Sequence, residues 1–184
     1  MDITKIILCG RRCTGKTTLF WDLQKALNWP IFSISEYLRE YLHRHNLKSL
    51  DEIDKRNFDI SGDIDDRLER LLTTPDHVVI DARVYGKIRQ PVAQVLRVLL
   101  TASEDARLKR AAYREGSTVE VQKKKLLKRE ADWMEKMKTL YPFEFFSPEY
   151  YDLTIDTSDK SPRDVCAAVL KRLQTDPGNV VFSG

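Results

Sequence analysis

No stretch of the 184-residue chain is apolar for long enough to cross a bilayer, so a membrane-spanning role is not expected. Cysteine is scarce. Cys9, Cys13 and Cys166 show no metal-ligand spacing, and an odd count of three argues against a disulfide framework. The segment Met1-Asp2-Ile3-Thr4-Lys5 carries no secretory pattern and runs straight into an apolar stretch, so a reducing, cytoplasmic setting is expected. Net charge is only +3, too little to imply a nucleic-acid polymer as partner. His43, His45 and His77 have no Cys, His or acid pattern that suggests zinc, and no Ser-His-Asp order or paired-carboxylate arrangement stands out. Internal repeats and low-complexity linkers are also missing. What remains, 42% apolar and 32% charged residues, describes one sizeable α/β domain with a real core.

The most informative segment is Gly10-Arg11-Arg12-Cys13-Thr14-Gly15-Lys16-Thr17, a complete GxxxxGK[ST] phosphate-binding loop. It follows the apolar run Ile6-Ile7-Leu8-Cys9. It precedes Thr18, Leu19, Leu23, Ala26 and Leu27, spaced as one face of a helix. That strand–loop–helix setting is what the motif needs. Glycines let successive backbone N–H groups turn toward phosphate oxygens, and the helix N-terminus adds a favourable dipole. Lys16 can reach the outer phosphates of a bound ligand as a point charge, and the Thr17 hydroxyl can ligate Mg²⁺.

Strand and helix patterns alternate along the rest of the chain. Strands are expected at 5–9, 30–32, 77–81, 95–100 and 152–156. Helices are expected near 16–28, 34–46, 50–57, 61–73, 103–115, 118–139 and 161–173. Several strands are continuous apolar runs, which suits a parallel sheet covered on both faces. The expected fold is therefore a doubly wound five-stranded α/β sheet, with ligands at the carboxyl ends of its strands. Two helical stretches interrupt the alternation, about residues 34–73 and the basic stretch 107–141, and both are candidate substrate-covering elements on a single domain. The tail from Asp176 to Gly184 follows the last helix and is expected to fray.

Further residues carry candidate chemistry. Val78-Val79-Ile80-Asp81 is an apolar strand ending in an acid, the place of a carboxylate that organises Mg²⁺. Arg83 lies two residues on, at the same sheet edge, where a guanidinium can clamp a second phosphate group. Ser33 and Glu36 form a capping box at a helix start, with Arg39 further along that helix. Arg107, Arg110 and Arg114 share one helix face, as phosphoryl transfer would require of a clamp on spreading charge. Lys123-Lys124-Lys125 reads as a solvated face, and Leu126, Trp133, Met137 and Leu140 as a packing stripe. Cys13 sits in the loop at a helix N-terminus, where a small packing role is the simplest reading.

In order and spacing, the blocks GRRCTGKTT, SISEYLRE, VVIDARVYG, LTASEDARLKRAAYREG, LLKRE and YYDLTIDTSDKSP resemble those of nucleoside-monophosphate kinases, most closely cytidylate kinases of the archaeal type. The likeness spans residues 3–173. It implies an ATP- and Mg²⁺-dependent transfer of the γ-phosphoryl to CMP or dCMP. Gly10 to Thr18 would bind the donor phosphates, Thr17 and Asp81 the metal, and Ser33, Arg39 and Arg83 the acceptor monophosphate. Lys16, Arg110, Arg114 and Arg129 would stabilise transferred charge, the arginines from the lid region. No nucleic-acid or membrane partner is implied, and a monomer is the default. Other acceptors (AMP, UMP or a small alcohol) and a catalytically impaired regulatory protein are the alternatives. The chain departs from the resemblance at Cys13, where a glycine is usual, and at Arg11 and Arg12, where small residues or proline are. Ser35 and Ala82 also replace glycines, Lys136 replaces a lid arginine, and Gln94-Val95 lacks an acid often found there.

Overall fold

The computed structural model describes residues 2–48, 60–85, 88–89 and 92–175. Five strands form one parallel sheet: β1 (Lys5–Gly10), β2 (Ile31–Ser33), β3 (Val78–Asp81), β4 (Val95–Thr101) and β5 (Leu153–Asp156), in the order β2-β3-β1-β4-β5. The chain reverses direction across the sheet between β3 and β4, on either side of β1. Ligand sites of such sheets open beyond the carboxyl ends at that reversal. All five expected strands are present, each within one residue of its expected bounds.

β1 explains why the sheet is covered on both sides. All six of its residues are buried, and alternate side chains go to opposite faces. Ile6 and Leu8 pack with Leu19, Phe20 and Leu23 of α1 (Lys16–Leu27) and with Val165, Val169 and Leu173 of α6 (Pro162–Thr175). Ile7 and Cys9 face the other way, onto Ile80, Leu99 and Tyr151 and onto Leu68 and Leu72 of α3 (Ile60–Thr73). The remaining helices are α2 (Ile34–Arg44), α4 (Glu104–Glu115) and α5 (Val119–Leu140). A helix expected over 50–57 and the tail 176–184 lie outside the described residues.

Short polar residues start these helices. The Ser33 side chain accepts from the Glu36 N–H at 3.4 Å, so half of the expected capping box is present. Ser103 and Thr118 cap α4 and α5 in the same way. Gly116, at φ 58, closes α4 in the left-handed region that permits the turn into α5. Between β4 and β5, Arg97 grips Asp152 with Nε to Oδ2 at 3.0 Å and Nη2 to Oδ1 at 2.8 Å. Its own N–H also donates to Oδ2 at 2.8 Å. Burial pushes Asp152 up, but the hydrogen bonds from Arg97 outweigh it and hold the carboxyl below its ordinary range.

Candidate active site

The loop between β1 and α1 is shaped by close backbone approach. Gly10 has φ 143, and a Cβ there would lie 2.3 Å from the Leu100 carbonyl oxygen, so only glycine fits. Its N–H donates to the Arg83 carbonyl at 3.1 Å, which ties the loop to the segment after β3. Gly15, at φ 93, is the N-cap of α1 and turns the chain into the helix. Thr14 is buried; its hydroxyl donates to the Arg11 carbonyl at 2.9 Å, and its own carbonyl accepts from the Thr157 hydroxyl at 2.9 Å. Cys13 occupies φ 61, a left-handed position that a glycine would adopt at less cost. The departure at Cys13 is therefore a residue with a Cβ at a turn that disfavours one.

Lys16 folds back over the loop, its Nζ donating to the carbonyls of Gly10 at 2.9 Å and Arg11 at 3.0 Å. Burial pushes its pKa down and the neighbouring Asp81 pushes it up. Asp81 ends β3, is 7% exposed, and has its carboxyl pushed up by burial against the opposing pull of Lys16. Each group thus sits in a site that disfavours its charge and improves when a counter-charge arrives. Thr17 and Thr18 lie on the first turn of α1, and both are exposed.

Two cavities open on either side of this loop. The larger, about 450 Å³, brings Arg12, Cys13, Lys16, Thr17 and Asp81 together with Ser35, Arg39, Arg83, Arg114 and Lys136. Its apolar wall comes from Ile34, Leu38 and Leu42 of α2, Ile60 and Ile64 of α3, and Trp133 and Met137 of α5. Asp65 also faces it and accepts from the Tyr141 hydroxyl at 2.8 Å, a contact that joins α3 to the end of α5. The smaller, about 300 Å³, is lined by Thr14, Gly15, Thr18, Leu19, Arg110, Thr157, Lys160, Pro162 and Val165.

Arg83 is the most constrained cation of the larger cavity. Its guanidinium lies 3.5 Å from the Trp133 ring centroid, and its Nε is buried without a partner. Burial first, then the Arg12, Arg11 and Arg107 charges, push it down from the ordinary arginine range, with Glu130 opposing. A buried donor without an acceptor, in a cluster of like charge, is a place an anion would relieve. Arg39 lines the same cavity and donates from Nε to the Ser35 carbonyl at 3.1 Å.

The three arginines expected on one face of α4 part company. Arg107 is buried and pairs with Glu130 of α5 at 2.7 Å. Arg110 turns to the smaller cavity, donating to the Thr157 hydroxyl at 3.0 Å, to the Cys13 carbonyl at 3.3 Å and to the Thr157 carbonyl. Arg114 reaches the larger cavity and pairs with Glu115 at 3.1 Å. Among the described residues, Arg129 is exposed and lines neither cavity, and Ser33 is buried under α2 as its cap. Trp133 and Met137, read from the sequence as packing residues, form part of the larger cavity's wall.

Sequence reasoning assigned no site role to Thr157, Trp133, Asp65 or Glu130. Glu130 left a trace: it falls in the helical seam Leu126, Trp133, Met137, where an acid must be buried and therefore paired. Thr157 left none, because its partners Thr14 and Arg110 are remote in the chain. Thr17 and Asp81 in one cavity fit a Mg²⁺ ion, which takes one or two protein oxygens and completes its shell with water and phosphate. Among the described residues, no group of three or more His, Cys, Asp or Glu is placed to hold a metal by itself, and no helix is long and apolar enough to cross a membrane.

Residues 6–138 match the model of an AAA domain family, AAA_18. A cytidylate kinase of Sulfolobus acidocaldarius is 27% identical over 90% of this chain and 92% of its own length. An S-adenosylmethionine-dependent nucleotide dehydratase of Lacinutrix mariniflava is 26% identical over 93% of this chain, which spans only 36% of that longer protein. Among solved structures, a shikimate kinase from Acinetobacter baumannii in complex with shikimate superposes with a TM-score of 0.58 at 20% identity, covering 96% of each chain. That likeness supports the fold.

Proposed function

Because the chain belongs to the AAA domain family AAA_18 and is a P-loop kinase, we propose that it transfers the γ-phosphoryl of ATP to a nucleoside monophosphate, with CMP or dCMP as acceptor. The observation that carries this reading is the shared cavity of about 450 Å³. Lys16, Thr17 and Asp81 line it together with Arg39 and Arg83. A donor phosphate needs the first group only. Two further arginines suit an acceptor that already carries phosphate. The names of the cytidylate kinase and nucleotide dehydratase relatives point the same way, to nucleotides.

In this reading the backbone N–H groups of Gly10 to Thr18 cradle the donor phosphates, and the donor base lies in the smaller cavity beside Arg110. Thr17 and Asp81 hold Mg²⁺, directly or through water; the ion supplies charge neutralisation at the transferring phosphates. Arg39 and Arg83 bind the acceptor phosphate and aim one of its oxygens at the γ-phosphorus. A nonbridging oxygen of the acceptor forms the new P–O bond as the bond to the bridging β–γ oxygen breaks, and the electron pair leaves with ADP. An acceptor that binds as a dianion loses no proton. Lys16 and Arg114 face the transferring group; Arg110 and Arg129 reach it only if 107–141 closes as a lid. The apolar wall from α2 and α3 excludes the water that would hydrolyse ATP. The enzyme acts as a monomer, without nucleic-acid or membrane partners.

Phosphorus-31 NMR of ATP–Mg²⁺ with CMP and purified protein tests the proposal. Growth of CDP and ADP resonances at equal rates is the expected result. ADP with inorganic phosphate and no CDP would reduce the protein to an ATPase, and phosphate transfer in a parallel reaction with shikimate in place of CMP would replace the acceptor class.

A further inference from the structure

The cavity holds a cation that belongs to the phosphate loop itself. Arg12 is exposed and lines the larger cavity, and its charge is the largest neighbouring influence on Arg83. Its guanidinium makes no hydrogen bond or ion pair with a described residue, whereas its backbone is pinned from both sides. The Arg12 N–H donates to Glu130 Oε1 at 3.2 Å, and its carbonyl accepts from Arg107 Nη1 at 3.4 Å. Glu130 and Arg107 are themselves a buried pair at 2.7 Å, with 6% of each side chain exposed. A chain segment held at both its N–H and its C=O has little freedom, so the side chain leaves the loop from a set point. The other cavity arginines are partly committed: Arg83 lies against Trp133, Arg39 donates to Ser35, and Arg114 pairs with Glu115.

We propose that Arg12 is a catalytic residue, a guanidinium that contacts the transferring phosphoryl in the transition state, and that Glu130 and Arg107 are the positioning pair that aims it. This rests on the kinase reading above. Charge spreads over the equatorial oxygens of the transferring group as the bond to ADP breaks and the bond to the acceptor oxygen forms. A planar fork matches those oxygens better than the single ammonium of Lys16. An arginine carried by the loop sits beside the donor phosphates, and the pair that aims it already rests on the loop. The buried Glu130 also limits the repulsion among Arg11, Arg12, Arg83 and Arg107, being 3.8 Å from Arg11 and the acid that acts on Arg83.

Steady-state kinetics of Arg12→Ala, Arg12→Lys and Glu130→Gln in the whole chain test this. Arg12→Ala and Arg12→Lys are expected to lower kcat by about 10³-fold, the low end of what a transition-state arginine contributes, while KM for ATP moves less than about threefold. Added guanidinium should restore part of the Arg12→Ala rate and none of a Lys16→Ala rate. Glu130→Gln keeps an acceptor oxygen for both contacts but removes the charge. It should lower kcat about tenfold, and Glu130→Asp should recover some of that loss. A folded Arg12→Ala enzyme with kcat within about threefold of the parent would overturn the assignment, as would a loss carried wholly by KM. A parent protein with no acceptor-dependent turnover would instead overturn the kinase reading, so the two failures are distinct. Loss of melting temperature in Glu130→Gln without a change in kcat would show a purely structural pair and remove the positioning role.

Discussion

Replacing Gly10 with Ala should damage this protein far more than the same change at Gly15, although both glycines have positive φ and both belong to the loop. At Gly10, φ is 143 and the new Cβ would lie 2.3 Å from the Leu100 carbonyl oxygen and 3.1 Å from the Thr14 hydroxyl. Holding an alanine in a region reserved for glycine costs about 1–3 kcal/mol. Relieving a backbone overlap by moving β1 from β4 costs about 1–3 kcal/mol more, as overpacking does elsewhere. A total of about 4 kcal/mol lowers the melting temperature of a chain of this size by roughly 8–16 °C. At Gly15, φ is 93 and a Cβ would meet nothing within 4 Å, so backbone strain acts alone. That is about 1–2 kcal/mol, or roughly 2–8 °C. The assay is thermal unfolding of both variants by circular dichroism, with ATP titration by calorimetry beside it. Gly10→Ala should also weaken ATP binding, because the Gly10 carbonyl that receives Lys16 at 2.9 Å would move. Equal shifts in the two variants, or a Gly10→Ala shift under about 3 °C, would refute the close-approach account of the loop.

Lys16→Ala should cost at least about 10²-fold in kcat, as loss of a donor at developing charge does, with the fold intact by circular dichroism. Cys13→Gly should hold or raise stability, since φ 61 favours glycine there, whereas Cys13→Val should lower it by about 1–2 kcal/mol in urea unfolding. Asp152→Asn should destabilise by about 1.5–3 kcal/mol at neutral pH, because a charged hydrogen bond to Arg97 is lost. Its folded carboxyl lies below the ordinary Asp value, so the native ion pair contributes fully above about pH 3.9 and is lost as pH falls through the lower folded value. The stability gap between parent and variant should therefore close in acid; a gap that persists unchanged at about pH 2 would contradict that linkage.

The phosphate loop was legible because its information is local. Strand, glycines, lysine and helix face follow one another between Lys5 and Leu27, and the structure has the same order. The five-stranded parallel sheet was legible for a related reason, since its buried strands carry runs of apolar residues, such as Ile6 to Cys9 and Val78 to Ile80, that announce themselves without partners. The fate of the α4 arginines was not. Helical spacing puts Arg107, Arg110 and Arg114 on one face, but it does not say that Glu130, Thr157 and a cavity each wait for one of them. Those partners lie 23 and 47 residues away for the first two pairs. Ser33 shows the reverse: its sequence reading as a helix cap describes where the structure puts it, and its capping leaves it outside the cavity. Trp133 was read as packing because helical periodicity cannot separate a core wall from a cavity wall.

Acceptor-dependent phosphoryl transfer to a cytidine monophosphate is read by a coupled ADP-release assay with ATP–Mg²⁺, run separately with CMP, dCMP, UMP, AMP, GMP and dTMP. Turnover with CMP or dCMP well above the other acceptors, and none without acceptor, is the expected result. Equal ADP release with and without every monophosphate would contradict it.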